Sequence, residues 1–523
     1  MTKLLSETKC YNWQTTNQKS CKGRQGFDNY FNHVTKFRRA VDKLTATLGG
    51  KPIIKACDVS HPSIPEIIHT KIEKLAQNYL LKCIDNNSVL DCLKFDEHQP
   101  YAIREAFAAL LDKRFAKQMV LPQHVLLMYG SSTQWLDTLV RAVVVKSLQH
   151  DFAIKNPVRQ PVILTPAGSF KCGGYFPYAN GGELHYIPTT FKNCYKLTPA
   201  LLDHEIKKIH TNKHKKVVCI LLETPTALGQ NYTTTELTDI ANVISQYPDI
   251  LWIQDWYNLG TEHDEYLPNA LADNSAIAQQ GCTISSFRRD WGGAATYANV
   301  SVMQSFNEDL IKEISQQCSE TYFNVRPPLQ KLQTFITHQI ANEMKVSQFT
   351  HKNQQFFKQQ FDEYKKILLE VNDSLNFELN TEGINYLFTL KAQAGQFGFL
   401  FFNKDTTDKG QICNGTQIAE LMCVHPDCRV MPTLLSPMGI GEDPVGVRLN
   451  ICLSEDTTKN QKLIRSILLR IAQLVVAIEK GMVSYPSFAP LISLLRNGQE
   501  INCRQLNEFG ELLCTQPISS ITV

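Results

Sequence analysis

The sequence has no apolar run long enough to cross a bilayer, which takes roughly 18 uninterrupted apolar residues. Its most apolar late segment, LIRSILLRIAQLVVAIEKG (463–481), is broken by Arg465, Arg470 and Glu479. The apolar residues there recur at three and four, so an amphipathic helix docked on a core is expected, and no membrane partner. There is little surplus of charge either. Fifty-three Lys and Arg against 50 Asp and Glu leave a formal net charge of +3 over 523 residues. A nucleic-acid binder would carry a basic stripe. Basic runs such as KKIHTNKHKK (207–216) are short and are expected on a solvated loop, so no nucleic-acid partner is expected. The 16 cysteines lack paired spacing. The closest approach, CVHPDC (423–428), has no second pair to complete a zinc site, so no metal is expected. The opening MTKLLSETKCYNWQTTNQKS lacks the apolar centre of a secretory leader. Dispersed cysteines without a leader imply a reducing compartment, and a cytoplasmic location is expected.

What is present is ordinary globular composition, 43% hydrophobic and 20% charged, in a chain long enough for two or three domains. Residues 1–50 are polar and read as an N-terminal arm, with GFDNYFNHVTKFRRAVDKL as one helix. From residue 51 the pattern becomes regular. Short β-rich runs stand at VLLMYG (125–130), PVILTP (161–166), ELHYIP (183–188), KVVCILLE (216–223), ILWIQDWY (250–257), CTISSF (282–287) and ATYANVSVM (295–303). Helical patterns such as TQWLDTLVRAVVVKSL separate most of them. Near-continuous apolar strands alternating with helices predict an α/β fold, with a mainly parallel seven-stranded sheet covered on both faces. A long helical stretch, then INYLFTL, FGFLFF, RVMP and GVRLNICL, predict a smaller α+β unit. The expected division is an arm (1–50), the first part of a small domain (51–110), a large domain (111–320), the rest of the small domain (321–482) and a tail of little periodicity (483–523).

Ligands of open α/β sheets sit at the carboxyl ends of the strands, so the residues after each run are the informative ones. GSSTQW follows the first run and opens a helix. Gly130, Ser131, Ser132 and Thr133 there offer backbone N–H groups and hydroxyls to an anion. Phe170 and Tyr175 follow the second run, TPTALGQNY (224–232) the fourth, and DWYNLG the fifth. Far downstream, GVRLNIC puts Arg448 in a strand.

In that order and spacing, residues 51–482 resemble the fold-type I pyridoxal-phosphate aminotransferases of class I/II. The resemblance implies a large domain carrying the cofactor site and a smaller α+β domain. It also implies a homodimer whose site is completed by the segment around Phe95 to Arg104, and an Arg448 that grips a carboxylate through a bidentate pair.

The departures from that family are specific. The family's Schiff-base lysine lies in a turn that matches SFRRDWGG, where Arg289 takes its place, and there is no lysine between Lys216 and Lys312. An arginine cannot substitute, because Schiff-base formation needs a neutral amine and guanidinium stays protonated up to a pKa above ~12. Tyr297 stands where the family has a phosphate-binding arginine. The family's pyridine-binding aspartate matches Gln254, with Asp255 one residue later. The asparagine beside the phenolic oxygen has only Ala227 and Leu228 as counterparts.

Conventional transamination is therefore not expected, and pyridoxal phosphate would be held only non-covalently if at all. One reading is a pseudoenzyme that binds a small anionic molecule, a carboxylate or a phosphate, as a binding module or as the partner of an active subunit. It would use Gly130, Ser131, Ser132, Thr133, Phe170, Gln254, Asp255, Tyr257, Arg289 and Arg448. The other is an active enzyme on the same scaffold, with Arg289, Asp255, Tyr257 and Tyr297 as catalytic residues. Plainer roles stay open: Arg289 in a surface salt bridge, Arg448 as an ordinary strand arginine, Ser131 to Thr133 as a helix cap, and Trp256 and Tyr257 as core aromatics.

Overall fold

The computed structural model describes residues 36–48, 52–57, isolated positions between 74 and 85, 101–115, 120–129, 132–154, 157–169, 177, 180–256, 260–263, 271–286, 300–318, 346–435, 438–440, 442–454, 456–499, 501 and 509. Helices α1 (Arg38–Leu48) and α2 (Tyr101–Phe115) precede the first strand. The large sheet is built from β1 (Val125–Tyr129), β2 (Gln160–Pro166), β3 (Glu183–Ile187), β4 (Lys215–Glu223), β5 (Leu251–Trp256), β6 (Gly281–Ser286) and β7 (Val300–Gln304). Its spatial order is β1-β7-β6-β5-β4-β2-β3. The pairs from β6 to β3 are parallel, and β7 runs antiparallel to both β6 and β1. This is the mainly parallel seven-stranded sheet that the apolar runs predict.

Both faces are covered, which is why the strands are apolar throughout. On one face lie α3 (Ser132–Ala153) and α6 (Glu308–Cys318). Trp135, Leu136, Leu139, Ile311 and Ile314 pack there on Ile163, Leu221, Ile253 and Ile284. On the other lie α4 (Pro199–His210) and α5 (Thr234–Ile244), packed on Val162, Leu164, Ile220, Leu222 and Trp252. Helix α5 begins where its sequence says it should. The Thr233 hydroxyl accepts from the Glu236 N–H (3.2 Å), and the Glu236 carboxylate accepts from the Thr233 N–H (2.7 Å).

The second sheet, in the order β10-β11-β9-β8, contains β8 (Leu387–Thr389), β9 (Phe397–Phe402), β10 (Thr433–Leu434) and β11 (Gly446–Asn450). Alternation along FGFLFF splits its faces. Leu400 and Phe402 meet the helical side, formed by α7 (Val346–Glu378), α8 (Lys404–Lys409), α9 (Gly415–Val424) and α10 (Thr457–Glu479). Phe397, Phe399 and Phe401 face Ala167, Ala227 and Leu228 from the loops of the large sheet. Helix α10 carries residues 463–479 of the late apolar segment, and its Ile464, Ile467, Leu468 and Ile471 are buried as the spacing predicts.

Two sequence expectations are corrected. The 207–216 run is no continuous loop: Lys207, Lys208 and His210 close α4, where cations suit the negative helix end, and Lys215 and Lys216 open β4. The tail is no featureless segment at its start, because α11 (Tyr485–Arg496) forms there. Its prolines hide it: Pro486 suits the first turn, and Pro490 lies inside the helix. Burial of Phe488, Leu491, Ile492 and Leu495 on one face offsets the lost hydrogen bond.

One ion pair fixes the approach to β2. Asp151 is fully buried, and its carboxylate accepts from the Arg159 N–H and Nε (3.1 Å each) and from Nη2. The Arg159 hydrogen bond holds the Asp151 pKa below its ordinary value. A depressed carboxyl pKa stabilises the fold above the unfolded value of ~3.9 and stops doing so as pH falls through the folded value. Arg159→Met is expected to cost about 2–3 kcal/mol at pH 7. Urea denaturation should show that difference shrinking as pH falls below about 4, and vanishing only once pH has passed through the depressed pKa of the wild-type Asp151. A cost independent of pH would show that Arg159 acts by packing alone.

Candidate functional site

Strands β1, β2, β4, β5 and β6 run in one direction, so their carboxyl ends share one edge of the sheet. Helix α3 starts three residues after β1 ends, so its N-terminus opens at that edge, with Ser132 buried and Thr133 half-buried. Strand alternation then decides which edge residues face it. Ile163, Leu221, Ile253 and Ile284 belong to the core beneath α3. Thr165, Glu223, Asp255 and Ser286, each two residues on, therefore share that face. All four are buried. Glu223 and Asp255 are register partners on neighbouring parallel strands, which places two carboxylates side by side at a strand spacing of about 4.8 Å.

Thr165, Glu223 and Asp255 are each tied to a loop. The Thr165 hydroxyl donates to Ser169 Oγ (2.8 Å). Glu223 Oε2 accepts from the Ala227 N–H (3.1 Å). The Asp255 carbonyl accepts from the Thr224 N–H (3.0 Å). Gln254, one residue out of phase, faces the α4–α5 layer instead. Its amide donates to Thr224 Oγ1 (2.6 Å), and its oxygen accepts from the Leu271 N–H. Asp255, not Gln254, thus lies on the α3 face, and Trp256 has the parity of Gln254.

Arg448 is buried in β11, opposite Phe399 on one side and Thr433 on the other. Its guanidinium lies 4.2 Å above the centre of the Phe397 ring. Val447 and Leu449 face the helices, so Arg448 faces the opposite way, toward the loops after β2 and β4. Those loops are locked to the small sheet. The Gly229 carbonyl accepts from the N–H groups of Gln393 (2.6 Å) and Ala394 (3.1 Å). Gly395 N–H donates to the Thr261 carbonyl (2.9 Å), and Gly168 N–H to Met438 (2.7 Å). Tyr195 is buried in the same junction, and burial with nearby Asp443 pushes its phenol up to about 12, so it stays neutral.

Gly130, Ser131, Phe170, Tyr257, Arg289 and Tyr297, with residues 95–100 of the crossover segment, lie outside the described residues. Of the expected site residues, the structure brings Ser132, Thr133 and Asp255 to one edge and turns Arg448 toward the loops of that edge. Sequence reasoning passed over Glu223, Thr165 and Ser286. For Glu223 the signal was available: it closes an apolar strand just as Asp255 does, and an acid there is costly to bury without purpose. Chemically, the paired acids suit a proton or a cationic nitrogen. The helix end and Arg448 suit an anion. Among the described residues no group of three or more His, Cys, Asp or Glu is arranged for a metal ion. No helix among them is long and apolar enough to cross a membrane.

No family model matches the sequence, and no curated protein matches it. Solved structures do. An archaeal alanine:glyoxylate aminotransferase is 18% identical, with a TM-score of 0.61 over 85% of this chain and 95% of its own. The aromatic aminotransferase of Pyrococcus horikoshii OT3 is 16% identical, with a TM-score of 0.59 over 82% and 97%. The aspartate aminotransferase of Rhizobium meliloti is 12% identical, with a TM-score of 0.60 over 83% and 94%. At such identities the likeness is one of architecture, and in architecture this chain has the fold-type I aminotransferase-like fold.

Proposed function

We propose that this chain is an aminotransferase-like scaffold without Schiff-base chemistry, a pseudoenzyme that holds a small anionic ligand at the carboxyl edge of the large sheet. The observation that carries this reading is the absence of any lysine between Lys216 in β4 and Lys312 in α6. That span includes the β6–β7 connection, where the resemblance puts the cofactor lysine and this chain has Arg289. The residues present do not fit pyridoxal phosphate held through an aldimine. Besides the missing amine, Ala227 and Leu228 are buried in the apolar junction with the small sheet and offer no side-chain hydrogen bond to a cofactor oxygen. Arg448, the N-terminus of α3 and Arg289 supply the positive side of the proposed site, with Phe170 and Tyr257 as its apolar walls. The proposed division is the large domain of residues 111–320 beside a small domain from 51–110 and 321–482. The proposed assembly is a cytoplasmic homodimer.

A second reading has one observation in its favour. Asp255 lies on the α3 face, where an acid could pair with the protonated nitrogen of a flat heterocycle. An active enzyme holding such a group non-covalently is the alternative.

Native mass spectrometry of the purified protein tests the ligand and the assembly together. The expected result is a dimer carrying a small adduct, colourless, with no adduct that borohydride fixes after pyridoxal phosphate is added. Arg448→Ala should weaken the adduct by about 2–4 kcal/mol. Arg448→Lys should also bind poorly, because an ammonium cannot form the planar fork. Robust amino transfer by the wild-type protein would overturn the proposal, and unchanged ligand affinity in both variants would remove Arg448 from the site.

A further inference from the structure

The turn His425-Pro-Asp-Cys-Arg429, which closes α9, carries a buried cation. Arg429 is only 4% exposed. Its Nη1 is buried and has no hydrogen-bond partner. Its backbone is left-handed, with φ +45°, a conformation uncommon outside glycine. The acid that acts on it, Asp427, does so only through space. Burial lowers its pKa, and the charge of Arg470 on α10 lowers it further.

Arg470 is half-buried, and its Nη1 donates to the Pro52 carbonyl (2.7 Å). The two arginines flank the same short segment. The Ile54 N–H donates to the Arg429 carbonyl, and the Met431 N–H to the Ile54 carbonyl, both at 2.9 Å. The carbonyls at the end of α9 are engaged by backbone N–H groups, Leu421 by His425 and Met422 by Val430, and Arg429 Nη1 has no hydrogen bond to them. Helix α10 packs on the face of the small sheet opposite to Arg448.

A guanidinium has five donors in a fixed fork, and burying it without an anion is costly. Strain in the residue that carries it adds to that cost, and strained residues cluster where function retains them. We propose that Arg429 and Arg470 form a second anion site, which takes a tetrahedral oxyanion of the phosphate type on the outer side of the small domain. A tetrahedral oxyanion has acceptor oxygens enough for two guanidinium groups, which a lone carboxylate does not. The site is separate from the edge that contains Asp255, and it does not depend on the function proposed for that edge.

The test is thermal unfolding of the full chain in low-salt buffer free of phosphate and sulfate, titrated with inorganic phosphate. The wild type should show a saturable rise in Tm. Arg429→Gln and Arg470→Gln should each weaken the apparent affinity at least about tenfold. Arg465→Gln, on the same helix but paired with Glu370, should leave it unchanged, which shows that loss of a positive charge on α10 is not enough. Without phosphate, Arg429→Gln should melt no lower than wild type, because it removes an unpaired buried charge. With saturating phosphate the order should reverse. Methyl phosphate identifies the source: an equal shift assigns a phosphate monoester, and none assigns the free ion. The proposal is overturned by no saturable shift up to about 10 mM phosphate. It is equally overturned by a shift that survives intact in both variants, or by Arg429→Gln lowering Tm equally with and without phosphate.

Discussion

Gly229→Ala is expected to destabilise the protein by about 3–5 kcal/mol, the sum of left-handed strain in a residue with a Cβ and a backbone collision. Gly229 has φ +73°, and an added Cβ would stand 2.3 Å from the Ala394 carbonyl oxygen and 2.9 Å from the Ala392 side chain. Neither neighbour is the far end of a flexible chain, so one loop has to move. The loop after β4 is the one that would lose most. It is held to the small sheet through the Gly229 carbonyl, through Gln230 Nε2 to the Lys391 carbonyl (2.9 Å), and through the Asn231 N–H to Gln393 Oε1 (3.1 Å). Chemical denaturation should record the loss, and hydrogen exchange should rise first at 226–231 and 391–395. A Gly229→Ala protein within about 1 kcal/mol of wild type would mean that the two loops separate at little cost.

Arg496→Ala should cost about 3 kcal/mol, because it strands a carboxylate in the core. Glu420 in α9 is 1% exposed and accepts from Arg496 Nη2 (2.7 Å) and Nε, and from the Tyr485 hydroxyl (3.0 Å). These contacts tie both ends of α11 to α9. Replacing both charges, as in Glu420→Met with Arg496→Met, should recover most of the loss, since a buried pair barely outweighs its own desolvation. The double-mutant cycle is the measurement. If Arg496→Ala costs as much beside Glu420→Met as it does alone, the pair is not coupled and α11 is held by its apolar face only.

Much of the architecture was legible because both faces of the large sheet are covered. Each strand is then an apolar run, and each run stands between helical patterns. The same physics hid α11. Its burial pattern is regular, but Pro486 and Pro490 imitate a loop. The site was legible by position and less so by side chain. Counting from the ends of the strands singled out Ser132 and Asp255 as candidates, and the family resemblance singled out Arg448. Counting could not fix parity, and parity is what separates Asp255 from Gln254. The decisive fact is that Ile253 packs under α3 while Trp252 packs under α4 and α5, which no single sequence displays. Glu223 ends an apolar strand, and only the parity of that strand shows that it stands beside Asp255.

The place of β1 at the rim of the sheet sets a timetable. Among the described residues its strand partner is β7, through Val125↔Gln304 to Tyr129↔Val300. A ribosome moving at about 5–20 residues per second makes the partner on the order of 10 to 35 s after β1 itself. For that interval Val125, Leu126, Leu127 and Met128, all buried in the finished protein, have no strand to pair with. A β-prone stretch with an open edge is what aggregation exploits and holdase chaperones cover. Closing the sheet is thus a late event in biosynthesis, and chains cut short before residue 304 leave the exit tunnel with that edge still bare.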